Sequence, residues 1–306
     1  MSVAVVTDST AYLPARRAEH YGVRVVPLHV STDAGRSLAE TSFGPELLTE
    51  QLRAGRRVTT AGASVAEFAD TYRAALDSGA DGVLSVHLSG ELSGTLDAAR
   101  TAARQVAPSA ISVVDSRSVA MGLGFAVLAA AELAATGAEL AEVAEAARRV
   151  AARGTILFSV QTLEYLRRGG RIGTASALLG TALAIKPLLH LRDGGIEPLE
   201  KVRTTGAVVR RLEQLAVDAA TGPAPSGAPS EVDTHRSPAL AVHHLAVPER
   251  AEALARRVRE RLPGHSDCVV SEVGATIGAH IGPGSVGVVV LPGGWSTTAG
   301  APRDDR

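Results

Sequence analysis

Four short segments hold the residues with chemistry to offer. Ser89-Gly90-Glu91-Leu92-Ser93-Gly94-Thr95 follows an apolar run and opens a helical one. Free backbone N–H groups at a helix start, with the hydroxyls of Ser93 and Thr95, form a neutral donor cluster for an anion. The same hydroxyls could simply cap the helix. A nucleophilic serine would sit in a G-x-S-x-G elbow, whereas Gly90 and Gly94 place Ser93 in G-x-x-S-G. Val58-Thr59-Thr60-Ala61-Gly62-Ala63-Ser64 is a second polar corner before a helix, and Ser64 with Glu67 fits a capping box. His280 stands in Gly278-Ala279-His280-Ile281-Gly282-Pro283-Gly284, a loop so rich in glycine that backbone closes around the imidazole and can aim it at a ligand. A lone histidine is more often a surface or satisfied core group. Arg167-Arg168-Gly169-Gly170-Arg171 places three guanidinium groups around a glycine hinge, suited to bidentate contact with phosphate or carboxylate. A solvated charged loop is the plain alternative. No G-x-x-x-x-G-K-[ST] loop is present and no G-x-G-x-x-G follows a strand, so nothing points to a nucleotide.

These corners need elements to hold them. Val3–Val6, Val83–Val86 and Ile111–Val114 are β-branched apolar runs, each leading into a polar corner and then a helix. Continuous apolar strands between helices predict a parallel sheet covered on both faces, with ligands at the carboxyl ends of its strands. The intervening helices are expected over Pro14–His20, Val65–Leu76 and Thr95–Val106, and a further strand over Val23–Val30. In the second half the pattern predicts a strand at Thr155–Val160 and a short helix at Leu163–Arg168. An apolar helical stretch over Ser176–Leu191 must bend or end near Pro187. Asp193-Gly194-Gly195 joins Leu188–Leu191 to Ile196–Val202 as a hairpin. A long helix over Gly206–Ala220 follows, then a strand at Leu240–Val247, a helix at Pro248–Leu262, and strands near Cys268–Glu272 and Val286–Leu291. The fold class is therefore α/β: an N-terminal open parallel sheet with helices on both faces, expected over residues 1–152, and a C-terminal α+β domain over 153–291. A Pro/Ser/Gly/Ala-rich insertion at 221–238 and a tail at 292–306 are expected to be disordered.

Composition narrows the function. In 306 residues hydrophobics are 45% and aromatics only 3%, so the core must be aliphatic and stacking platforms for single-stranded nucleic acid are nearly absent. A net charge of −1 supplies no basic field for nucleic acid or an anionic membrane. The single cysteine, Cys268, precludes an intrachain disulfide and a cysteine metal cluster, and its apolar neighbours predict a buried, inert thiol. The histidines, His243-His244 included, lack metal spacing with carboxylates, so no metal site is expected. The opening Met1–Asp8 lacks a basic n-region and reads as a strand, and the apolar run from Phe125 to Ala135 is too short to span a bilayer. A cytoplasmic protein without stable membrane insertion is the expectation.

In order along the chain, these segments resemble the DegV family of bacterial fatty-acid-binding proteins. Thr7-Asp8-Ser9-Thr10-Ala11 resembles its T-D-S-T-A start, and Leu92-Ser93-Gly94-Thr95 its L-S-G-T corner. Val114-Asp115-Ser116 with Ser118 to Gly124 resembles its V-D-S-x-x-x-S-M-G-x-G stretch. Leu163–Ile172 is similar to its L-x-Y-L-x-x-G-G-R-I motif, and His280-Ile281-Gly282-Pro283-Gly284 to its closing H-x-G-P-G. The family's T-S-Q-P-S corner keeps only its first and last residues here, as Thr60 and Ser64. The resemblance implies a DegV-like fold of two domains with a long-chain fatty acid buried between them, and no other cofactor. Its carboxylate would be held by Thr60, Ser93 and His280, with Ser9, Gly94, Thr95 and Ser116 near the head group. It further implies no catalytic residue of the chain's own. A separate fatty-acid kinase would phosphorylate the presented acid for phospholipid synthesis, with Arg168 or Arg171 facing kinase or phosphate. The competing reading is a hydrolase or acyltransferase using Ser93 with His280.

Overall fold

The computed structural model describes residues 1–33, 35, 37–179, 185–222, 237–262 and 267–296. The strands of the first half are β1 (Val3–Asp8), β2 (Arg24–Val26), β3 (His29–Thr32), β4 (Ser37–Ala39), β5 (Val58–Ala61), β6 (Gly82–His87) and β7 (Ile111–Asp115). Four of them form a parallel sheet in the order β2-β1-β6-β7; its three strands β1, β6 and β7 are the apolar runs from which a parallel sheet is expected. Successive side chains of a strand point to opposite faces, so one strand feeds two cores. Val6 and Val83 pack with Phe68, Tyr72 and Ala99 of the helices Val65–Asp77 and Thr95–Val106. Val5 and Leu84 pack on the other side with Leu123, Val127 and Val143 of the helices Met121–Ala135 and Leu140–Arg153. Helices therefore cover both faces.

The predicted strand Val23–Val30 is two strands in two sheets. β2 edges the parallel sheet, whereas β3 pairs antiparallel with β4 and β5 in a small separate sheet. Pro27 lies at the break, where its missing N–H interrupts any ladder.

The second half contributes β8 (Thr155–Ser159), β9 (Lys186–Arg192), β10 (Gly195–Val202), β11 (Ala239–His244), β12 (Asp267–Glu272) and β13 (Val286–Leu291), in the mixed order β10-β9-β8-β13-β11-β12. The hairpin through Asp193-Gly194 is present, with Asp193 and Gly194 both at positive φ. In place of the helix expected over Ser176–Leu191, the described residues form a short 3-10 helix at Gly173–Leu178 and a strand, β9, from Lys186. Pro187 is tolerated in that strand because β8 pairs only with Leu188 to His190, leaving one edge of the proline free. Residues 180–184 of that stretch, 223–236 of the expected insertion and 297–306 of the expected tail lie outside the described residues. Trp295, within the stretch expected to fray, is instead buried, with Tyr21 edge-on at 6.4 Å. Cys268 is partly buried against the outer core of the mixed sheet.

The helix Met121–Ala135 joins the two large sheets. Met121 to Glu132 are all buried. Leu123 and Val127 face the parallel sheet, while Met121, Phe125 and Ala129 face Ile156, Ala241 and Val289 of the mixed sheet. A helix apolar all round belongs between layers, which accounts for a run that superficially resembles a membrane segment. No helix among the described residues is long and apolar enough to cross a membrane. The helices Thr205–Thr221 and Pro248–Arg261 cover the far face of the mixed sheet.

Candidate functional site

An apolar cavity with about 1070 Å³ of empty space, its open mouth included, lies between the sheets at the carboxyl ends of β1 and β6. Val119 and Ala120 at the start of the buried helix form part of its wall. Ile156, Phe158, Leu191 and Val286 to Val289 of the mixed sheet form the opposite wall. Polar groups gather at one end, where Thr60, Ser93, Arg171 and His280 line the same space.

Each of these is delivered by a different element. Thr60 is on β5, paired to Val30 of β3. His280 is near the end of a helix, Ala275–Ile281, not in the glycine-rich loop that its neighbours suggested. That helix packs on the small sheet and on the helix Pro45–Arg53 through Val30, Leu48, Ala275 and Ala279. The packing explains how residues 220 apart in sequence meet: Thr60 Oγ1 and His280 Nε2 are 2.8 Å apart. Ser93 follows β6 and precedes the helix Thr95–Val106. Its Oγ is 2.9 Å from Thr95 Oγ1 and accepts from the Thr95 N–H at 3.3 Å. The corner thus both supports the helix start and lines the cavity. Gly62 brings the two corners together, since a Cβ there would sit 2.7 Å from Thr95 Oγ1. The capping box of Ser64 and Glu67 forms as predicted.

The R-G-G-R loop closes the end. Arg171 donates from Nε to the Leu92 carbonyl at 2.9 Å and from Nη1 to the Gly169 carbonyl at 2.6 Å. Its side chain is thereby set beside Ser93. Gly169 lies flat against the His280 ring, where a Cβ would be 2.0 Å from Nδ1. Arg168 points elsewhere, paired to Glu164 at 2.6 Å.

Other residues expected near a head group have different neighbours. Ser9 donates to buried Glu40 and accepts from the Leu28 N–H at 3.0 Å. Ser116 is buried and donates to the His87 carbonyl at 2.7 Å. Neither Ser9, Gly94 nor Ser116 lines the cavity. Sequence reasoning passed over His243, which does line it. Its Nε2 accepts from the Met121 N–H at 3.3 Å and its Nδ1 bonds Ser271 Oγ at 3.0 Å. It also passed over Glu40, which accepts from Tyr12 Oη at 3.1 Å and from the Thr276 N–H at 2.8 Å, anchoring the helix that bears His280. Among the described residues no cluster of His, Cys, Asp and Glu could hold a metal.

Burial sets the charge of this site. Desolvation pushes His280 down to about 4, with the Arg171 charge adding to the effect, and desolvation pushes His243 down to about 4. Both imidazoles are neutral at pH 7, so Arg171 is the cation at the polar end. A stability consequence follows. Above pH 6.5 neither state of the protein protonates these rings. Between pH 6.5 and 4 the unfolded chain takes up protons that the folded one refuses, at a cost of up to about 3 kcal/mol per ring. The melting temperature is expected to fall across that window and to fall less steeply for His243→Gln; an unchanged slope would refute the burial argument.

A family model described as "Uncharacterised protein, DegV family" matches residues 2–293. A DegV domain-containing protein of Streptomyces coelicolor is 54% identical over 94% of this chain and 98% of its own length. Among solved structures, a DegV family protein of Thermus thermophilus, described as binding fatty acid, is 35% identical with a TM-score of 0.86, covering 95% of this chain and 100% of that one. DegV of Bacillus subtilis, described as a fatty acid binding protein, is 29% identical with a TM-score of 0.81 over 95% and 99%.

Proposed function

The chain belongs to the DegV family, and on that premise we propose that its cavity holds a long-chain fatty acid, carboxylate at the Thr60, Ser93 and His280 end. The observation that carries this reading is the cavity itself: a largely aliphatic interior with Thr60, Ser93, Arg171 and His280 gathered at one end. Burying about fifteen methylenes is worth on the order of 12 kcal/mol gross at ~0.8 each. Association costs ~4–15 kcal/mol, so enclosure along most of the chain is needed. A buried carboxylate also needs donors. The hydroxyls of Thr60 and Ser93 and the Arg171 guanidinium supply them. Neutral His280 holds the Thr60 hydroxyl in place. In the fuller form of this reading the protein is a carrier in the cytoplasm with no chemistry of its own. A separate fatty-acid kinase forms the acyl phosphate on the head group at the polar end of the cavity, and Arg168 or Arg171 faces the kinase or the phosphate.

The hydrolase reading asks His280 to take a proton from Ser93 and a carboxylate to orient the imidazole. His280 Nε2 is instead bonded to Thr60, and no hydrogen-bond partner faces its buried Nδ1. Native mass spectrometry of the freshly purified protein, followed by denaturing extraction, tests the carrier reading. One bound long-chain fatty acid is the expected result. Ser93→Ala should then weaken uptake roughly tenfold, the worth of one hydrogen bond to a charged group. An empty protein that takes up no added fatty acid would sink it.

A further inference from the structure

A second cavity adjoins the first on its outer side, with about 1230 Å³ of empty space, its open face included. The two share Thr60, Arg171 and His280, so the polar end of the first cavity abuts the second. Its other lining residues include Arg56, Arg57 and Arg168, and no Asp or Glu. Arg168 is offset by Glu164. The other three guanidiniums meet no carboxylate: Arg171 bonds two carbonyls, Arg56 donates to the Gln51 side chain at 3.2 Å, and Arg57 has no side-chain partner among the described residues. The loop that carries Arg56 and Arg57 is pinned, because the Arg57 N–H donates to Asp33 at 3.0 Å. It then runs directly into β5, three residues before Thr60.

We infer that this vestibule is a phosphate site, in which Arg56 and Arg57 join Arg171 around a phosphoryl dianion attached to, or next to, the lipid head group. The inference rests on the fatty-acid reading and extends it to what the head group becomes. A carboxylate held by Thr60, Ser93 and Arg171 leaves the Arg56 and Arg57 guanidiniums lining a space with no Asp or Glu in its wall. A planar fork matches phosphate oxygens bidentately, and several cations together attract a dianion more strongly than a monoanion. The loop Gly55–Arg57 lies outside every segment singled out from the sequence.

The source of the phosphate is separable. Palmitate, hexadecylphosphonate and inorganic phosphate are titrated against the full-length protein and the Arg56→Gln/Arg57→Gln variant. The expected result is at least a tenfold loss of hexadecylphosphonate affinity in the variant, with palmitate affinity within twofold. If millimolar inorganic phosphate weakens hexadecylphosphonate binding but not palmitate binding, the site also takes the free ion. If it weakens neither, the phosphoryl group must arrive on the lipid. Equal losses for palmitate and phosphonate, or no loss for either, would overturn the inference while leaving the fatty-acid reading standing. A wild-type protein that binds neither lipid removes both.

Discussion

Gly169→Ala lowers fatty-acid affinity by about 10- to 100-fold and leaves the fold intact. Gly169 has φ −77° and ψ −9°, a conformation alanine adopts freely, so the substitution brings no backbone strain. Its single added methyl would sit 2.0 Å from His280 Nδ1 and 2.6 Å from Cε1. Those distances are impossible, and the imidazole must move. Its other nitrogen is bonded to Thr60, so the displacement breaks that pair and turns the Thr60 hydroxyl away from the carboxylate. Losing one or two hydrogen bonds to a charged group is worth roughly 1.5–3 kcal/mol, and each 1.4 kcal/mol is tenfold in Kd. Gly170→Ala is the control. It has φ +71° and nothing within 4 Å, so alanine there is strained but touches nothing at the site. It should lower the melting temperature by a few degrees and leave the Kd alone. Displacement of a fluorescent fatty acid measures both, and equal affinities for the two variants would show that His280 does not hold the head group.

What the sequence made legible here follows a physical division. The parallel sheet was readable because fully buried strands are continuous apolar runs, and the helix Thr95–Val106 because its start is a turn of Ser and Gly. The polar end of the cavity was readable because Thr60, Ser93 and His280 stand in polar corners bearing glycine, and the resemblance to the family's motifs singled the three out together. The His280 helix was missed for the same reason: Gly274, Gly278 and Gly282 look like a loop, yet tertiary packing against Leu48 overrides their poor helix propensity. His243 left no local signal, since a histidine inside an apolar strand reads alike whether it faces a core or a cavity. Glu40 was invisible because its partners, Ser9, Tyr12 and Thr276, come from three distant segments. Arg56 and Arg57 carry no motif of their own, and only the run of β5 from them to Thr60 brings them beside the site.

Asp8 shows how a motif can be recognised and its work still missed. The Thr7–Ala11 opening suggests a ligand contact, but Asp8 is fully buried and lies outside the cavity. Its carboxylate accepts from the Thr10 N–H at 3.1 Å, Thr10 Oγ1 at 2.5 Å, His87 Nδ1 at 3.0 Å and the Leu88 N–H at 3.0 Å. With Nδ1 donating, His87 Nε2 accepts from Ser85 Oγ at 2.6 Å, and Ser85 accepts from Tyr72 Oη at 2.8 Å. The order Ser–His–Asp matches that of a hydrolase, but Ser85, His87 and Asp8 are all 0% exposed, so no substrate reaches the serine. The chain of bonds ties the carboxyl ends of β1 and β6, from which the cavity wall is built. Asp8→Ala leaves four buried donors without an acceptor, and a broken buried network of this kind costs roughly 3–5 kcal/mol. The shift per kcal/mol is about 2–4 °C for 150–250 residues and smaller for longer chains, so at about 2 °C per kcal/mol the melting temperature of this 306-residue chain should fall by roughly 6–10 °C. Asp8→Asn keeps the shape and loses one acceptor, so it should lie between. In a His87→Ala background Asp8→Ala should cost at least 1 kcal/mol less than in the wild type, as expected for partners in one network. Additive losses would mean that the aspartate acts through Thr10 and Leu88 alone, and a melting temperature within two degrees of wild type would remove the network from any account of the fold.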